Sequence, residues 1–252
     1  MRMWATSVVW VLGIAVFMGA AVDAGTISTG EQVIEQLRAN VQRIEDLEAN
    51  IVVETYKDGE IDRVQRIRLL LLQPNRMRQE YLEPDYLAGN TTLIVGNEMW
   101  IYIAAADTWY TKDLHDLSAA EQPWLVFRQF LREVEDEFDD YAFDLRDDPT
   151  EVYHLVGKPT DEAAAYGQID LWVDRDSFVP TRRMLYDVDG QLLVDLVIRD
   201  VQETETGIHL ARVIETYDER GILRSIIRYE EMQVDRGLDP TMFDPRVVLE
   251  NG

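Results

Sequence analysis

Apolar positions along this chain follow three rhythms, and each predicts a different kind of element. From Trp4 to Val22 they are nearly continuous, broken only by Thr6 and Ser7. From Val33 they recur in steps of three and four, through Ile34, Leu37, Val41, Ile44 and Leu47, while Glu31, Glu35, Arg38, Gln42 and Glu45 occupy the opposite side. That spacing predicts an amphipathic helix with one apolar stripe. Ser28-Thr29-Gly30-Glu31 stands just before it with the spacing of a capping box, in which Ser28 and Glu31 would satisfy each other's free amides.

From Asn50 the period shortens to two. Ile51 to Tyr56 is β-branched and alternating, Lys57-Asp58-Gly59-Glu60 reads as a hairpin turn, and a long strand runs on to Leu72. After Pro74 the alternation resumes from Arg76 to Leu82. Thr91–Val95 and Met99–Ile103 then flank the tight turn Gly96-Asn97, and Trp109–Lys112 closes this first meander. Helical spacing interrupts here. Ser118-Ala119-Ala120-Glu121 is a second capping box, Pro123 suits a first helical turn, and Trp124, Phe127, Leu131, Val134 and Phe138 line one stripe.

Strand patterns then return, as Tyr141–Leu145, Val152–Gly157, Gln168–Val173, Thr181–Tyr186, Gln191–Val201, Ile208–Tyr217 and Ile222–Val234. Two of their turns share a signature, Tyr186-Asp187-Val188-Asp189-Gly190 and Tyr217-Asp218-Glu219-Arg220-Gly221, and Tyr56-Lys57-Asp58-Gly59 is a shorter relative. About a dozen strands with short turns and no βαβ alternation predict one large antiparallel sheet. The sheet is expected to curl toward a barrel, with amphipathic helices on its concave side.

The continuous run at the start changes the expected address. Arg2 precedes it and Val22-Asp23-Ala24-Gly25 ends it with the small residues a signal peptidase reads, so 1–24 is expected to be a secretory signal peptide and 25–252 a single exported domain. An uncleaved membrane anchor is the alternative, since the run approaches the ~20 residues that span a bilayer. Charge removes other options. With 24 basic and 48 acidic side chains the net charge is -24, which opposes binding to nucleic-acid phosphates and to anionic lipid. Cysteine is absent, so disulfides, thiolate chemistry and a Cys-linked lipid anchor are all excluded.

No catalytic arrangement is legible. His115, His154 and His209 stand far apart without metal-ligand spacing, and no nucleophile elbow or phosphate-binding glycine loop occurs. Asp187-Val188-Asp189-Gly190 lacks the further ligands of a calcium loop and reads as a hairpin turn. No enzyme, cofactor or metal is therefore expected. The aromatic residues point elsewhere. Trp100, Tyr102, Trp109, Tyr110, Trp124, Phe127 and Trp172 could be ordinary core, but a sheet this wide curls around more space than its own side chains fill, and an apolar cavity under helices suits an acyl chain.

Pro74-Asn75-Arg76-Met77-Arg78-Gln79-Glu80-Tyr81, then Pro84, then Thr92-Leu93-Ile94-Val95-Gly96-Asn97-Glu98-Met99-Trp100-Ile101-Tyr102 resembles the hallmark stretch of the LolA/LolB-like outer-membrane lipoprotein-sorting proteins. The tail Leu238-Asp239-Pro240-Thr241-Met242-Phe243 resembles that family's closing segment, and the similarity of layout spans about 28 to 245. The resemblance implies an open, eleven-stranded half-barrel closed by helices, whose cavity receives lipoprotein acyl chains. It implies a periplasmic carrier with an inner-membrane donor and an outer-membrane acceptor. Met77 sits where the carriers have a cavity aromatic, and Trp100 and Tyr102 match their Trp-x-Tyr. The carriers' Arg before the proline, which latches the lid, is replaced here by Gln73.

The expected ligand site is thus Met77, Tyr81, Trp100 and Tyr102 from the sheet with Trp124, Phe127 and Leu131 from the second helix. Strand parity leaves open which of these face inward. Two other readings are an envelope-stress sensor, in which the same half-barrel binds a membrane-bound regulator, and a carbohydrate-active β protein. The last would need a Trp-lined cleft with two convergent carboxylates.

Overall fold

The computed structural model of the protein describes residues 27–41, 43–114, 138–146, 151–161 and 164–251. Thirteen strands form one antiparallel sheet. The first meander contains β1 (Asp46–Lys57), β2 (Glu60–Leu72), β3 (Arg76–Glu83), β4 (Thr91–Val95), β5 (Glu98–Ile103) and β6 (Thr108–Asp113). The second contains β7 (Tyr141–Arg146), β8 (Val152–Pro159), β9 (Gln168–Asp174), β10 (Pro180–Tyr186), β11 (Leu192–Glu203), β12 (His209–Tyr217) and β13 (Leu223–Val234). Pairing of β1 with β13 joins the two meanders, and β6 and β7 are left as the edges.

The expected curl toward a half-barrel of about eleven strands is corrected here: the sheet has thirteen strands and is neither closed nor strongly curled. Closure needs the first and last strands to pair, and β6 instead exposes Tyr110, Thr111, Lys112 and Asp113, a polar edge that resists further pairing. Each alternating run has become its own strand because each is bounded by turn residues. At the first hairpin Asp58 and Gly59 adopt φ of 54° and 84°, left-handed geometry that the Asp-Gly pair accepts at low cost.

Helix α1 (Gly30–Val41) lies against one face, called the inner face, through Val33, Ile34 and Leu37. Its cap differs by one residue from the expected box. The Gln32 amide N–H donates to Thr29 Oγ1 while Gln32 Oε1 accepts from the Ser28 and Thr29 N–H groups, so Thr29 and Gln32 form the pair. The apolar stripe also outruns the helix, since Leu47 already belongs to β1. Gly30 is required where it stands, because a Cβ there would lie 2.2 Å from the Phe143 carbonyl oxygen on β7. A second short helix, α2 (Pro245–Asn251), which the sequence reading did not anticipate, follows a 3-10 turn at Pro240–Phe243 and packs on the opposite, outer face. The expected helix near 118–138 lies outside the described residues except for Phe138, which stands in a turn before β7.

Burial follows strand parity. One apolar cluster runs across the inner face from β5 to β7 and includes the α1 stripe, while a smaller one on the outer face joins β2 and β4 to the C-terminal tail. Elsewhere the outer face carries pairs of opposite charges. Arg228 reaches Glu54 at 2.8 Å, Arg199 reaches Glu215 at 3.0 Å, Arg68 reaches Glu48 at 2.7 Å, and Arg182 bonds Asp195 twice.

These pairs set a pH dependence. The Arg228 hydrogen bond holds the Glu54 carboxyl below its ordinary range. Burial opposes ionisation of Glu215 and Asp218, but hydrogen bonds from Tyr217 and Arg199, and from the Ile222 amide and Arg224, prevail and lower both. The folded state therefore binds fewer protons than the unfolded one. Their contribution is complete above the ordinary carboxylate range of about 4 and is lost as pH falls through the depressed values. Urea midpoints of wild type should drop between pH 7 and pH 3. Glu215→Gln should be less stable at pH 7 and lose less on acidification; an unchanged pH slope would remove Glu215 from this account.

Candidate functional site

The inner face is built from residues that stand opposite one another on successive strands. Val234, Leu47, Leu71, Met77, Ile94 and Met99 form one row across β13, β1, β2, β3, β4 and β5. Tyr229, Ile51, Ile67 and Tyr81 form a second row, four residues along β1, β2 and β3 from the first. Beyond β13 the face continues through Ile214, Ile198, Leu185, Leu171, Leu155 and Phe143 to β7, against which α1 packs. Phe138 meets Phe143 edge-on at 5.5 Å, and the Arg183 guanidinium lies 5.4 Å from the Phe138 ring centroid.

Two of the expected sheet residues belong to this face. Met77 is 1% exposed within the first row, and Tyr81 is buried in the second, where burial pushes its phenol well above the ordinary value. Trp100 and Tyr102 do not join them. Because Met99 and Ile101 point inward, Trp100 and Tyr102 point outward. Trp100 packs with Leu70, Leu93 and the tail residue Phe243. Tyr102 stacks on Trp109 at 4.9 Å and donates its hydroxyl to Asp107 at 3.0 Å. Trp100 therefore belongs to the seat of the tail, and Tyr102 faces the same way. Trp172 also faces outward, between His154 stacked at 4.4 Å and Arg182 at 5.3 Å. Trp124, Phe127 and Leu131 lie outside the described residues.

Gln73, at the position of the carriers' latch, sits in the turn between β2 and β3 and donates its backbone N–H to the Glu45 carbonyl. Among the described residues no cluster of three His, Asp or Glu side chains could hold a metal, and no helix is long and apolar enough to cross a membrane.

Sequence reasoning passed over a set of polar residues on the same face. Gln65 is in phase with Ile67 and Leu69, Gln79 lies between Met77 and Tyr81, Thr216 follows Ile214, and Ser225 precedes Ile227 and Tyr229. A polar residue in the apolar phase of a strand was the available signal, and it is visible in the strand alternation.

Comparisons with known proteins agree with this architecture. No curated protein matches the sequence. A family model described as "uncharacterized protein" matches residues 75–249, more than half of the chain. Among solved structures, a DUF1329 family protein from Desulfovibrio piger ATCC 29098 is similar with a TM-score of 0.67 at 16% identity, over 86% of this chain and 96% of that one. An outer membrane lipoprotein-sorting protein domain from Vibrio parahaemolyticus is similar with a TM-score of 0.66 at 17% identity, over 86% and 97%. A LolA superfamily protein from Nitrosomonas europaea is similar with a TM-score of 0.64 at 19% identity, over 87% and 99%. At these identities the likeness is one of fold, and the resemblance read from the hallmark stretch holds at that level.

Proposed function

This chain belongs to the family of uncharacterized proteins whose model spans residues 75–249, and from its LolA-like sheet we propose that it is an exported, non-catalytic carrier of acyl chains. Its cargo in this reading is an acylated lipoprotein or lipid, taken up at an inner-membrane donor and moved through the periplasm toward the outer membrane. The site is the inner face, with Met77 and Tyr81 in its wall. The observation that carries the proposal is that continuous apolar face, spread over a sheet whose fold is shared with a lipoprotein-sorting domain.

The energetics favour a surface of this kind. Each buried methylene contributes about 0.8 kcal/mol, so a chain of ~16 carbons resists leaving a membrane by roughly 12 kcal/mol. A water-soluble carrier must offset most of that with an equally dry surface, and a wide sheet with one apolar face supplies the required area. Release must also remain feasible, which favours many weak apolar contacts over a few strong polar ones.

The test is native mass spectrometry of the protein purified from its own envelope without detergent. Extra mass that disappears on organic extraction is expected, and its value identifies the cargo class. A clean apo mass, together with no uptake of a fluorescent fatty acid, would sink the proposal.

A further inference from the structure

The inner face carries four polar atoms that the described chain does not satisfy. Gln65 Oε1, Gln79 Oε1, Thr216 Oγ1 and Ser225 Oγ are buried with no hydrogen-bond partner among the described residues. Their residues are between 1% and 4% exposed, as buried as the leucines around them. Unbonded hydroxyl and amide oxygens are costly in an interior and rare in native proteins. Of the four, Thr216 and Ser225 are directly opposed and so could share one bonding partner from outside these residues.

Their placement defines what that partner is. Thr216 on β12 and Ser225 on β13 stand directly opposite each other, about 5 Å apart at Cβ, yet do not bond each other. They lie beside the β12–β13 hairpin, one residue before the end of β12 and two after the start of β13. Away from that hairpin the next row is apolar on three strands, Ile198, Ile214 and Ile227, and it continues through Val53 to Gln65. Polar groups at the hairpin end with an apolar row beside them match an amphiphile whose polar linkage sits at Thr216 and Ser225 and whose chain crosses the strands over that row. The β1–β2, β10–β11 and β12–β13 hairpins all turn back at this end, and they expose Ile61, Val188 and Ile222.

We infer that Thr216 and Ser225 donate to the carbonyl of an acyl ester or amide whose chain lies over Ile214, Ile227 and Ile198. This rests on the carrier reading and adds to it that the ligand is held by its acyl linkage, not by its hydrocarbon alone. The two hydroxyls stand on directly opposed residues, and a carbonyl oxygen with two lone pairs is an acceptor that can satisfy both.

Two probes that differ only at the carbonyl test this. 1-Monopalmitoylglycerol has it, and 1-hexadecylglycerol, the ether, lacks it. Displacement of a fluorescent apolar dye from wild type should show the ester binding roughly 25-fold tighter, as two hydrogen bonds of ordinary strength imply. The double variant Thr216→Val with Ser225→Ala should bind both probes alike, at the wild-type affinity for the ether. It should also melt at the same temperature or higher, since it removes unsatisfied groups without changing shape much. Equal binding of ester and ether by wild type would overturn the inference and leave the carrier intact. So would an undiminished preference in the variant; a lower melting temperature with that preference would identify a structural water instead. Failure of wild type to bind either probe would remove the carrier reading, and this inference with it.

Discussion

Truncation of Trp100 to alanine is expected to lower the unfolding free energy by about 3 kcal/mol and to leave acyl-chain uptake unchanged. The indole packs on the outer face against Leu70, Leu93 and Phe243, so its loss opens a cavity under the C-terminal tail and not in the inner wall. Met77→Ala provides the contrast. Its side chain is buried among Leu71, Ile94 and Met99 on the inner face, and its removal should cost a comparable 2–5 kcal/mol while also weakening capture of a fluorescent fatty acid. Urea denaturation gives the first quantity and dye titration the second. Equal loss of uptake in both variants would mean that the two faces do not divide the work as described.

Replacing Asp46 by alanine should have a similarly large effect by a different route. This carboxylate is 4% exposed and accepts backbone N–H groups from Arg236, Gly237 and Leu238 at 2.9, 2.8 and 3.2 Å. It ties the start of β1 to the segment that leaves β13 and leads the tail across the outer face. Asp235 returns the contact by accepting the Glu45 N–H at 2.8 Å. Removing the carboxylate leaves three amides short of a charged acceptor, with an expected cost of about 3 kcal/mol. The tail is then held by Phe243, Val248 and the Arg78 bond to the Met242 carbonyl at 2.9 Å. Amide hydrogen exchange should accelerate across 236–248 before the sheet itself opens. Uniform acceleration would show instead that tail and sheet open as one unit.

Much of the fold is legible in the chain because strand signals here are local. Thr91–Val95, Gln168–Asp174 and Leu223–Val234 match their alternating runs to within a residue or two, and Asp58-Gly59 and Gly96 stand in left-handed turns that their residue types favour. The error at Leu47 has a simple cause. Ile44 and Leu47 continue a three- and four-residue spacing, and spacing alone cannot register that β1 gains more by pairing with both β2 and β13 from Asp46 onward.

The candidate site divides along another line. Which residues alternate is a property of the sequence, and it sets Met77 with Tyr81 and Trp100 with Tyr102. Which of those two sets faces α1 is decided by pairing between β3, β4 and β5, since a one-residue change of register exchanges every side chain between faces. Tertiary structure alone brings Thr216 beside Ser225 and carries the C-terminal tail to Trp100. The sequence by itself determined the strands, their turns and the alternation that makes one face apolar, because those follow from backbone sterics and nearby side chains. The number of strands in one open sheet, the direction each aromatic faces and the polar atoms left within the apolar face were settled only by long-range pairing, in which residues such as Asp46 and Leu238 meet across 192 positions of chain.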